Sequence, residues 1–117
     1  MQEIIHNQLE TTSEYLYNLL QSIKKRPGMY LGKCSISRLR SFLDGYMLAR
    51  QEFGLPTTQE ETDFDKFQEW IQERFKIESS HGWDSIILFY SADERDALDN
   101  FFELVEKFRN GEKASRN

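Results

Sequence analysis

The sequence predicts an all-α protein, a single domain over residues 1–117 with four to five short amphipathic helices around a phenylalanine-rich core. Three observations carry that expectation. Apolar residues recur at i, i+3, i+4 and i+7 through most of the chain. Thr11 with Glu14, and Ser91 with Glu94, place a hydroxyl three residues ahead of an acid, the spacing that starts a helix. Aromatic residues make up 14% of the chain, nine of them Phe, enough to fill a core without metal or disulfide.

Taken in order, residues 11–25 read as a helix, with Leu16, Leu19, Leu20 and Ile23 on one face. Lys24, Lys25 and Arg26 follow where cations suit the negative end of the macrodipole. Pro27-Gly28 stops this helix, and Met29, Tyr30 and Leu31 are expected to pack inward as a tight connector that turns at Gly32. A second helix fits 35–53, with Ser35 as N-cap and Ile36, Leu39, Phe42, Leu43, Tyr46, Met47 and Phe53 as its stripe. Gly54 and Pro56 close it. "LPTTQEET" reads as a polar connection, after which Asp63 caps a third helix bearing Phe64, Phe67, Trp70, Ile71 and Phe75.

"HGWDSIILFYS" (81–91) holds a continuous apolar run, which fits either a buried strand or a buried helix. The spacing of Trp83, Ile86, Ile87 and Tyr90, with Ser79 or Ser80 as cap, favours helix. The alternative is an α+β fold with a short hairpin from 29–31 and 85–90. The last helix is expected to start at the Ser91/Glu94 box and to bury Ala97, Leu98, Phe101, Phe102, Leu104, Val105 and Phe108. Gly111 ends it. Residues 1–10 and 111–117 are expected to be loosely ordered ends.

Net charge is −5, and it is unevenly spread. Residues 1–58 hold seven Lys/Arg and five Asp/Glu, whereas residues 59–117 hold eight and fifteen. Lys24, Lys25, Arg26, Lys33, Arg38 and Arg40 fall in a window that contains no acid. Such asymmetry bears on partners and not on fold. No apolar run is long enough to span a bilayer, the N-terminus has no secretory pattern, and the single Cys34 fits a reducing compartment. A cytoplasmic protein without membrane attachment is expected.

"KKRPGMYLG" (24–32) resembles the string that opens the ATP-binding domain of the gyrase B and type II topoisomerase family. In that family the next helix carries a catalytic Glu and, four residues on, a metal-binding Asn. Here the only acid of "RLRSFLDGYMLAR" is Asp44, followed four residues later by Leu48, and no Asp-x-Gly-x-Gly occurs. The nucleotide-binding reading is therefore rejected, and turn chemistry accounts for the string. His6, Cys34 and His81 lack metal-ligand spacing, and no nucleophile has a local signature, so no catalytic residue, cofactor or metal is expected.

The acidic second half is the stronger lead. Glu60, Glu61, Asp63, Asp65, Glu69 and Glu73 surround the third helix, and Asp93, Glu94, Asp96, Asp99, Glu103 and Glu106 line the polar side of the last. These are either ordinary solvated faces or a landing surface for a basic partner. On the second reading Asp63, Asp65, Glu69, Glu73, Asp93, Asp96, Asp99 and Glu103 contact the partner, with Trp83 or Tyr90 as aromatic anchor.

From Ile23 to Phe108, the succession "RPGMYLG", "SISRLRSFLDGY", "FQEWIQERF" and "GWDSIILFYSADERDALDNFF" resembles small bacterial immunity proteins of polymorphic and contact-dependent toxin systems. That resemblance implies a compact, acidic, cytoplasmic, non-enzymatic inhibitor that binds a cognate toxin domain and occludes its active site. The toxin would be basic, a nuclease being one apt case. The alternative is a nucleic-acid-binding or regulatory module using the basic window 24–40, which contains no recognised module of that kind.

Overall fold

The computed structural model describes residues 15–115, and in them every regular element is a helix. The elements are α1 (Tyr15–Lys25), α2 (Pro27–Leu31), α3 (Ile36–Glu52), α4 (Gln59–Asp65), α5 (Phe67–Phe75), α6 (Trp83–Phe89) and α7 (Glu94–Arg109). The all-α expectation holds, and the hairpin alternative fails because both of its segments are helical. The helical segments outnumber the four to five expected because the connector at 27–31 winds into a turn of its own and the third helix divides. The Thr11/Glu14 box, and the ends at residues 1–10 and 116–117, lie outside the described residues.

Leu16, Leu19, Leu20 and Ile23 are buried along α1, as periodicity predicts. Pro27 suits the first position of α2, where an amide N–H would have no partner. Gly32 then takes a left-handed conformation (φ 78°) that lets its N–H reach the Gly28 carbonyl. Leu31 is buried and Tyr30 packs edge-on against Phe42, but Met29, expected to face inward, is exposed. A five-residue helix offers only one buried face, and Met29 is off it.

Ser35 caps α3 as expected, its hydroxyl accepting from the Arg38 N–H. Phe53, expected on the buried stripe, is 81% exposed because it lies past the last residue of α3. Asp63 caps nothing. The N-cap is Thr58, five residues earlier, in a full capping box with Glu61. The chain then tightens at Lys66, whose N–H donates to the Asp63 carbonyl, and this break separates α4 from α5. It lets Phe64 and Phe67 face inward together, stacked at 5.4 Å.

Lys76 ends α5 in the left-handed region (φ 56°), the one non-glycine with positive φ among the described residues. Its N–H donates to the Glu73 carbonyl, and the Ile77 N–H reaches back to Gln72. That hydrogen-bond pair normally has glycine at the left-handed position, and a lysine there costs about 1 kcal/mol. At the start of α6 the cap is Gly82, not Ser79 or Ser80. At the start of α7 it is Asp93, whose carboxylate accepts from the Asp96 N–H; Ser91 instead donates its hydroxyl to the Ile87 carbonyl.

The core centres on Phe67 and Phe101, both fully buried. The Phe67 ring meets those of Phe64, Trp70, Trp83, Phe101 and Phe108 at centroid distances between 5.4 and 6.1 Å. Helix α7 packs on α3, α5 and α6 and is the common floor. Past α7 the chain stays attached. The Trp70 indole donates to the Glu112 carbonyl, Arg74 pairs with the Glu112 carboxylate at 2.8 Å, and Ala114 is buried.

Phe67→Ala should destabilise the fold by about 3–5 kcal/mol, since it removes the ring on which five others pack. Urea unfolding followed by far-UV circular dichroism measures this. A loss under about 1 kcal/mol would show that Phe67 is not the hub.

Candidate functional site

The acids predicted to meet a partner divide into two groups. The first group serves the fold. Asp93 and Asp96 build the start of α7, where Asp96 also accepts from the Ala92 N–H at 2.8 Å. Asp63 accepts from the Gln59 side chain. Glu61 is buried and takes hydrogen bonds from the Thr58 N–H and the Arg50 guanidinium, so it joins the end of α3 to the start of α4. Glu60 accepts from the Tyr17 N–H of α1.

Glu94 is the clearest member of this group. Its carboxylate crosses to the start of α3 and accepts from the Ser35 hydroxyl (2.9 Å), the Ser37 N–H (3.0 Å) and the Ser37 hydroxyl (2.7 Å). Burial alone would raise its pKa, but those three hydrogen bonds outweigh it and hold the carboxyl below the ordinary glutamate range.

The second group stays on the surface. Asp65, Glu69 and Glu73 are exposed on α4 and α5. Asp99, Glu103 and Glu106 are exposed on α7 at i, i+4 and i+7, so they form one stripe. Glu103 has Lys107 at 3.9 Å, an exposed pair of little energetic weight.

The two aromatic anchor candidates also separate. Trp83 is a core residue, its ring against Phe64, Phe67 and Phe101 and its outer side covered by the Arg40 guanidinium at 5.1 Å. It presents no ring to a partner, and it shares a hollow with Asp65, Arg40 and Asp44. Tyr90 is 52% exposed and stacks on Phe75 at 4.9 Å. Its hollow, about 270 Å³, is also lined by Arg74, Asn100, Glu103 and Lys107, so Tyr90 neighbours one acid of the α7 stripe and two cations.

Phe89, inside the apolar run, is a surface residue that helical periodicity does not single out. It is 77% exposed and borders a more apolar hollow of about 540 Å³ on the other flank of α6. The only sequence signal was the run itself, which is too long for one helical face.

The basic window is partly used inside the molecule. Arg40 pairs with Asp44 and Asp84, each at 3.1 Å, and Arg38 donates to the Leu31 carbonyl. Lys24, Lys25, Arg26 and Lys33 remain exposed. Lys24 lines a cleft between α1 and α7, where Arg109 lies 3.9 Å over the Tyr17 ring. Burial raises the Tyr17 phenol to about 12 against the opposing charge of Arg109, so it stays protonated. Among the described residues no cluster of three or more His, Cys, Asp and Glu is placed to hold a metal ion, and no helix is long and apolar enough to cross a membrane. Cys34 is a half-buried thiol packed on the core.

The chain matches no known family model, no curated protein and no solved structure.

The Glu94 contact has a pH signature. A carboxyl whose folded pKa is depressed contributes stability that is complete above its ordinary value and is lost as pH falls through the folded value. Glu94→Ala should cost about 1–2 kcal/mol at neutral pH, the loss typical of a helix cap. The gap between wild type and variant should then begin to narrow as pH falls through the ordinary glutamate range and close once it has passed through the lower, folded value. Urea midpoints taken across that range measure it, and a gap that persists in acid would show that the charge is not what holds α3.

Proposed function

We propose that this chain acts by binding a basic protein partner, as an immunity-type inhibitor that neutralises a toxin domain without catalysis in the cytoplasm of a bacterium. One observation carries the reading: a half-exposed tyrosine, stacked on Phe75, shares its hollow with Glu103, the middle member of the exposed acidic stripe of α7.

The pairing has the anatomy of a tight interface. An aromatic ring already held by stacking loses little freedom when a partner covers it, and aromatic anchors contribute much of the energy in such contacts. Glu103 borders the same hollow together with Arg74 and Lys107, and Asp99 and Glu106 continue the acidic stripe along α7 on either side of Glu103, a negative line that draws in a positive partner and orients it before contact. A domain that grips phosphates carries the complementary sign. Asp65, Glu69 and Glu73 extend the negative field from α4 and α5. The acids that cap helices are not part of the contact. The resemblance to immunity proteins supplies the biological setting, and the surface chemistry supplies the sign and type of partner.

The test is co-purification of the full chain with the protein encoded beside it, followed by binding kinetics. Tyr90→Ala should speed dissociation by about tenfold or more, as loss of an anchor does. Joint replacement Asp99→Lys, Glu103→Lys and Glu106→Lys should slow association and flatten its dependence on salt. No complex with that neighbour, or normal kinetics in both variants, would refute the reading.

A further inference from the structure

Residues 15–43 contain no Asp or Glu, and around their middle they gather Lys24, Lys25, Arg26, Lys33 and Arg38, all exposed. None of these five pairs with an acid among the described residues. Every other Lys or Arg of residues 15–115 has an acid within four positions in the sequence. Glu94 reaches the start of α3, but Ser35 and Ser37 hold its carboxylate. Lys24 stands at the edge of the group, in a cleft it shares with Glu106 and Arg109. Arg38 also steadies the connector, donating to the Leu31 carbonyl at 3.1 Å.

Between the two halves of this cationic run, α2 turns an open face to solvent. Leu31 is buried and the Tyr30 ring is turned onto Phe42, whereas Met29 is 63% exposed. A Cβ added at Gly28 would meet nothing within 4 Å, so no neighbour stands over this face. Five helical residues span about 7.5 Å. Arg26 and Lys33, at the two ends of α2, therefore lie close on either side of Met29.

We propose that this connector is a docking surface for an anionic membrane, its cations at the phosphate headgroups and Met29 entering between them. Cations clustered on a short segment draw it to anionic lipid. A flexible apolar side chain among them gains only where its new surroundings are apolar, as they are just below the headgroups. A nucleic acid offers the same charge without that layer. Single strands bind by stacking on exposed aromatic rings, and the connector has none, because Tyr30 faces inward. The chain as a whole carries −5 and is repelled by an anionic surface, so retention there has to come from a local patch. The contact is peripheral, since no helix among the described residues is long and apolar enough to cross a membrane. It uses no residue of the Tyr90 hollow and is independent of the toxin-binding reading.

Co-sedimentation of the full chain with vesicles tests this, comparing phosphatidylcholine alone with an equal mixture of phosphatidylcholine and phosphatidylglycerol. The wild type should pellet with the mixed vesicles only, and added salt should release it. Joint replacement Lys25→Gln, Arg26→Gln and Lys33→Gln should weaken partitioning by about a hundredfold, at about fivefold for each charge. Met29→Ser should weaken it by about threefold or more and leave its salt dependence unchanged. Gly28→Glu sets an acid in open space on the same face, and should abolish retention with a urea midpoint no lower than that of the wild type. Absence of retention on the mixed vesicles, equal retention on neutral ones, or wild-type partitioning by Met29→Ser or Gly28→Glu would each overturn the proposal. So would tighter binding to DNA oligonucleotides than to the mixed vesicles in the same buffer, which would assign the patch to nucleic acid.

Discussion

A helix leaves the N–H groups of its first turn without partners inside itself, and in a fold of short helices this is a large share of all backbone donors. Here side chains from distant parts of the chain answer three of those starts. Glu94 of α7 receives the Ser37 N–H at the start of α3, Gln68 of α5 receives the Trp83 N–H that opens α6, and Glu60 of α4 receives the Tyr17 N–H in the first described turn of α1. Each contact satisfies a donor and also fixes the position of one helix against another. Gln68 does so twice over, since its amide also donates to the His81 carbonyl just ahead of α6. The apolar core alone would tolerate some sliding of short helices past one another. These directional contacts set where each helix begins relative to its neighbour.

That constraint explains how the charge is distributed. The acids nearest the starts of α4 and α7 are drawn into capping, Glu61 in the box that opens α4 and Asp93 as the N-cap of α7, with Glu60 and Glu94 reaching across to other helices. What remains on the surface is the later acids of each element, Asp65, Glu69, Glu73, Asp99, Glu103 and Glu106. A count of acids along the sequence therefore overstates the field offered to a partner. It also misplaces that field, which lies toward the middle and end of α7 and not at its start.

Periodicity made the inward faces of α1 and α7 legible residue by residue, because burial there repeats every three to four positions and needs no knowledge of neighbours. It also indicated that 83–89 is helix. What it could not reveal was set by contacts between residues far apart in the chain. Glu94 has the spacing to close a box with Ser91, but α7 starts two residues later with Asp93 as its cap, and the Glu94 carboxylate reaches residues 57 and 59 positions away at the start of α3. The start of α4 was legible in principle, since Thr58 and Glu61 have the spacing of a capping box, but the polar composition around them read as a loop. Trp83 is an interface residue by type and a core residue by position, and Lys76 gives no sign in sequence that it stands where glycine belongs. Of the candidate binding surface, Tyr90 and the α7 acids could be named in advance; the adjacency of Tyr90 to Glu103 could not.

The run Ile86–Tyr90 shows how a folding rule and a surface become linked. Five successive apolar residues sweep more than a full helical turn, so no single face can bury them all. Ile86 and Ile87 continue the stripe begun by Trp83 and enter the core, and Leu88 is partly covered. Phe89 and Tyr90 must then emerge, and they do so in edge-to-face contact at 5.0 Å with each ring bordering its own hollow. Tyr90 still stacks on Phe75 at the edge of the core, and Phe89 rests on Tyr90, so the two rings cover one another while their outer faces stay in solvent. Two rings at the end of one short helix therefore border two different surfaces within a single turn of backbone, one charged with Glu103, Arg74 and Lys107 and one with an apolar wall.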